Sequence, residues 1–171
     1  MCSSDLLIQQ QFERAVGDKL IEWINSTQAT AFSFSRRGDD APDLIYSDGT
    51  KTLGIEVVGA YYDKKDATLQ WKGARQLADA PTAWSGINFD EALLKGIERR
   101  ISEKCKKAYG PNCALLVAVR PGLTPMPDMQ DLLAGLQLPE AVSFEAVYIA
   151  GEFPATTYAK SGYYAWQVWP K

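Results

Sequence analysis

Between residues 5 and 26 the apolar positions recur at helical spacing, with Leu6, Val16, Leu20 and Ile24 on one stripe. This predicts an amphipathic helix for which Ser4 or Asp5 can serve as a cap. The period then changes. "TAFSFSRRG", residues 30 to 38, reads as a short strand ending in a turn. "DLIYSDGTKTLGIEVVGAYY" reads as a hairpin: a strand over Asp43 to Ser47, a turn on "SDGT", and a longer strand over Thr52 to Tyr62. Residues 63 to 87 hold Trp71, Trp84 and scattered charges without a period, which predicts a long loop. Asn88 to Tyr109 is the clearest helix, opened by "NFDE" and stopped by Gly110 and Pro111. "CALLVAVR", residues 113 to 120, is a buried strand, "PMPDMQDLLAGLQL" a short helix, and "SFEAVYIAGEF" and "YYAWQVWP" are two further strands. The order is helix, three strands, helix, strand, helix, strand, strand. It predicts an α/β domain with a mixed sheet flanked by helices. No internal repeat or linker divides residues 1–171, so one domain is expected.

Four charged residues stand against this pattern. Glu56 lies between Ile55 and Val57, where an isolated ionised carboxylate would cost several kcal/mol. Asp43 opens the neighbouring strand of the same hairpin, so the two carboxylates can lie side by side. Two hard oxygen ligands on adjacent strands suit Mg²⁺, which completes its shell with water and phosphate. The alternative is that Asp43 caps a turn after Pro42 while Glu56 faces solvent. Glu13 falls on the apolar stripe of the first helix, seven residues from both Leu6 and Leu20. It either packs beside a cationic site or bends from the stripe edge to water. On the long helix the stripe is Leu93, Leu94, Ile97, Ile101 and Ala108, and Lys104 lies about 20° from Ile97 around the axis. Lys104 therefore aims at the core, unless its long side chain snorkels past the edge.

Composition narrows the chemistry. The chain has no histidine, which removes Ser-His-Asp and Cys-His catalysis and the imidazole-rich zinc sites. A hydrolytic site must be assembled from carboxylates, lysines, hydroxyls and a hard metal ion. Three cysteines at irregular spacing, Cys2, Cys105 and Cys113, read as free thiols in a reducing cytoplasm. Neither a membrane span nor a signal peptide is evident. The net charge of −3 argues against an all-round basic coat, but "KGIERRISEKCKK", residues 95 to 107, carries six basic side chains against two acidic. The plain reading of such a run is a solvated helix face.

"PDLIYSDGTKTLGIEVV" resembles the core of the PD-(D/E)xK, or restriction-endonuclease-like, nuclease superfamily. There a Pro-Asp opens one strand and a Glu-x-Lys lies on the next. The element order over about residues 5 to 120 is similar to that superfamily's αβββαβ core, and "ISEKCKKAYG" followed by "CALLVAV" adds to the likeness. The resemblance implies a metal-dependent endonuclease hydrolysing phosphodiester bonds in DNA, with Mg²⁺ or Mn²⁺ as cofactor. It implies Asp43 and Glu56 as metal ligands, the Val57 main-chain carbonyl as a third, and Glu13 on a second metal or its water. Where the family places its lysine the chain has Val58, and Lys104 is the candidate to replace the missing charge. Lys51, at the turn end of the hairpin, is a weaker candidate because it is expected to lie too far from Glu56. Arg36, Arg37, Lys72 and Arg75 are expected near phosphates, with Trp71 offering a stacking surface. A homodimer is left open. Val58 and the acidic balance also fit a rival reading, a catalytically inactive nuclease-fold protein acting as a binding or interaction module.

Overall fold

Six strands form one mixed sheet in the computed structural model, which describes residues 3–60, 89–119, 124–156 and 160–170. The strands are β1 (Ser33–Arg37), β2 (Leu44–Ser47), β3 (Thr52–Ala60), β4 (Cys113–Val119), β5 (Ala146–Pro154) and β6 (Ser161–Trp169). They lie in the sheet in the order in which they occur in the chain. The pairs β1–β2, β2–β3 and β5–β6 are antiparallel, and β3–β4 and β4–β5 are parallel. A parallel pair needs a crossover, and helices lie in both crossovers: α2 (Phe89–Cys105) before β4, and α3 (Met126–Ala134) before β5. With α1 (Ser3–Gln28) ahead of β1, the order of the described elements is the one the sequence pattern predicts. No described helix is long and apolar enough to cross a membrane.

Strand alternation sends side chains into two cores. Leu20, Ile21 and Ile24 of α1 pack on Ile55, Val57, Ala114 and Leu116. On the opposite face Leu93, Ile97 and Ile101 of α2 pack with Ala60, Cys113, Leu115 and Val117. All seven residues of β4 are buried, as expected of a parallel strand covered on both faces. Glu56 belongs to the second face, alternating with Ile55 and Val57 on the first.

Both long helices depart from their predicted bounds. α1 runs two residues further at each end than predicted. The Ser26 and Thr27 hydroxyls bond back to the Trp23 carbonyl in its last turn, and Ala29, at φ 51°, ends it. Its buried positions begin only at Glu13, so Leu6, predicted on the core stripe, is 48% exposed. α2 stops at Cys105, before the predicted Tyr109. There the Lys107 N–H bonds to the Lys104 carbonyl, and the Ser143 hydroxyl donates to the Cys105 carbonyl. Ala108, predicted on the apolar stripe, is outside the helix and exposed. The early stop frees Tyr109 to turn inward, where its ring packs on Phe144 with centroids 4.3 Å apart.

Candidate active site

The segment before β2 is held by two glycines. A Cβ on Gly38 would lie 1.8 Å from the Pro42 carbonyl oxygen, and one on Gly54 would lie 2.5 Å from Pro42 Cγ. Only a residue without a side chain fits either place. The Gly38 N–H also donates to the Asp43 carbonyl at 3.1 Å. With Pro42 so seated, Asp43 reaches across the hairpin and its Oδ2 accepts the Val57 N–H at 2.8 Å. The N–H and C=O of one residue in a strand point to the same side. The Val57 carbonyl therefore lies on the strand edge that Asp43 occupies, beyond the last β2–β3 pair, Leu44–Ile55.

Glu56, 5% exposed, does not face solvent. Lys104, in the last turn of α2, places its ammonium 2.5 Å from Glu56 Oε1, with the lysine side chain 24% exposed. The phenol of Tyr109 donates to the same oxygen at 3.3 Å. The other oxygen, Oε2, is buried and has no hydrogen-bond partner among the described residues. A bare, buried carboxylate oxygen is costly and calls for an account. The inward aim of Lys104, expected from helical periodicity, is thus met by a specific partner on β3. The Val58 side chain, on the same face as Glu56, packs against the α2 core instead.

Glu13 is also 5% exposed but differently engaged. Its Oε1 accepts from Gln9 Nε2 at 2.8 Å, and its Oε2 is ion-paired with the Arg37 guanidinium. Arg37 also donates to the Gln10 carbonyl at 3.3 Å, tying β1 to α1. Both Glu13 oxygens are therefore occupied, and Arg37 commits two of its N–H donors to α1. Arg36 remains exposed, 3.6 Å from Asp39. Lys51 lines a separate cleft of about 700 Å³ with Phe32, Asn112 and Tyr148, and none of the four candidate residues borders it.

The local electrostatics gather around Asp43. Burial is the main cause that pushes it up from 3.8 to about 6, against the pull of the Val57 N–H; Glu56 and Glu13 add to the rise and Lys104 offsets part of it. The interaction of Asp43 with all three other candidates places the four charges in one neighbourhood. Burial first, and then the charge of Glu56, push the Cys113 thiol up to about 12 and hold Tyr109 above its ordinary range, so both keep their protons.

Among the described residues no group of three or more His, Cys, Asp or Glu side chains is arranged to hold a metal. What the chain does offer is two carboxylates that interact electrostatically, one with a bare oxygen, and a main-chain carbonyl on the strand edge that Asp43 occupies. That donor set fits Mg²⁺, which takes one or two carboxylates and keeps much of its water. The sequence pattern singles out the four charged residues but not Tyr109, whose approach depends on the early end of α2. Trp71, Lys72 and Arg75 lie outside the described residues. Compared with known proteins, the chain matches no family model, no curated protein and no solved structure.

Proposed function

We propose that the chain is a metal-dependent phosphodiesterase of the PD-(D/E)xK kind that cuts DNA. The observation that carries this reading is Glu56: a buried carboxylate with one oxygen held by Lys104 and the other bare, beside a second carboxylate, Asp43. In this reading Asp43, Glu56 Oε2 and the Val57 carbonyl hold Mg²⁺ or Mn²⁺. The bound ion supplies an acidified water and charge stabilisation at the scissile phosphate. Asp43 is fixed by the Val57 N–H in the orientation that faces the site. Lys104 supplies the positive charge that Val58 cannot, from the neighbouring helix and next to the carboxylate. Glu13 keeps Arg37 in place at the end of β1. Exposed Lys106 and Lys107, just beyond α2, supply phosphate contacts.

A second reading has its own support. Lys104 already neutralises Glu56, and together with Val58 this suits a silent member of the same fold that binds nucleic acid or protein without cutting. Incubation of the purified chain with supercoiled DNA, and in parallel with RNA, in Mg²⁺ or Mn²⁺ separates the two. Cleavage that disappears in EDTA and in Glu56→Ala is expected. Cleavage equal in Glu56→Ala would show that the site is wrongly placed, and binding of DNA without cleavage would select the silent module.

A further inference from the structure

Resting on the reading of Glu56 as a metal ligand, we propose that Tyr109 is a positioning residue: with Lys104 it clamps Glu56 Oε1 and so leaves Oε2 as the oxygen offered to the metal. A carboxylate is symmetric, and its terminal torsion is broad and two-fold. A lysine ammonium is a point charge on a flexible four-carbon stem and can follow either oxygen. Lys104 alone therefore does not decide which oxygen stays bare. Tyr109 is different in kind. Its ring lies on Phe144 at 4.3 Å, tilted by 34°, so its hydroxyl has a fixed address, 3.3 Å from Oε1.

The two donors meet on one oxygen while the other, buried, has none among the described residues. That unequal division has an evident use only if something else is to occupy Oε2. A phenol is protonated at neutral pH, so it acts as a donor and not as a rival anion. Its bond is long for a hydroxyl donor, which makes its contribution orientation more than energy.

The test is Mn²⁺ affinity of the purified full chain, read from the electron paramagnetic resonance signal of free Mn²⁺. Tyr109→Phe keeps the ring and its stack and removes only the hydroxyl. The expected result is Mn²⁺ binding weakened about tenfold, as for loss of a hydrogen bond that orients a metal ligand, with the metal-free melting midpoint unchanged. Mn²⁺ affinity equal to wild type in Tyr109→Phe, while Glu56→Ala abolishes binding, overturns the role of Tyr109 and leaves the metal site standing. Absence of Mn²⁺ binding in the wild type overturns the metal site itself, and this inference with it. Should Tyr109→Phe melt early without metal, Phe144→Leu frees the ring while leaving the hydroxyl and Glu56 in the chain. It must weaken Mn²⁺ binding as well, and unchanged affinity there counts equally against the proposal.

Discussion

Glu13 and Glu56 are equally buried, and each is ion-paired to a basic side chain from a neighbouring element, yet they are completed differently. On Glu13 the two oxygens take Gln9 and Arg37, one donor each. On Glu56 two donors crowd one oxygen and, among the described residues, the other has none. Burial alone therefore does not mark a functional carboxylate. The distribution of its hydrogen bonds separates the two, because a carboxylate with a donor on each oxygen has less cause to recruit a ligand than one with a bare oxygen.

The largest effect that tests this contrast is on Lys104. In Lys104→Ala the rate of DNA cleavage at saturating Mg²⁺ is expected to fall about hundred- to thousandfold, the usual loss when a group stabilising transition-state charge is removed. A Lys104→Ala variant that cuts like wild type would make Lys104 a mere counterion, no different from Arg37. Next in size is Glu13→Ala. Loss of the carboxylate strands the partly exposed Arg37 and is expected to cost about 2 kcal/mol, below the range for a fully buried pair. For a chain of this length the melting midpoint then drops by about 4–8 °C. Cleavage measured well below that midpoint should be unchanged; lost cleavage with an unmoved midpoint would reverse the comparison.

The smallest effect concerns Asp43, between the two. In the folded chain it holds its proton up to about pH 6, against 3.8 ordinarily. Between those values the folded state binds more protons than the unfolded one, so stability falls as pH rises through the window. Asp43→Asn retains an acceptor for the Val57 N–H but carries no charge. In EDTA near neutral pH it should melt about 3 °C above wild type, corresponding to about 1 kcal/mol after allowance for solvent screening. The difference should close below about pH 4, where both side chains are neutral. Equal midpoints at neutral pH would mean that Asp43 is not held in an unfavourable charged state.

Local pattern made most of the architecture legible. Strand alternation and apolar period gave all nine described elements in order, because each element's burial is written in its own residues. The same period aimed Lys104 inward and left Glu13 either beside a cation or bent to water. It did not show that the cation is Arg37, since that choice depends on how β1 lies beside α1. Nor did it show Tyr109. Gly110 and Pro111 looked like the helix stop, but the helix ends at Cys105, where Ser143, 38 residues later, accepts the role of capping donor. Contacts across such separations leave no trace in local spacing.

The Tyr109–Phe144 stack has a consequence for the order in which the site is made. Glu13, Asp43, Glu56, Lys104 and Tyr109 all leave the ribosome before β4 does, and the strands lie side by side in the sheet in chain order. Phe144 follows Tyr109 by 35 residues. At usual rates of synthesis that is a delay of about 2–7 seconds. The charged residues of a nascent chain are therefore present, while the ring that sorts the two oxygens of Glu56 is not yet seated, until translation has nearly reached β5.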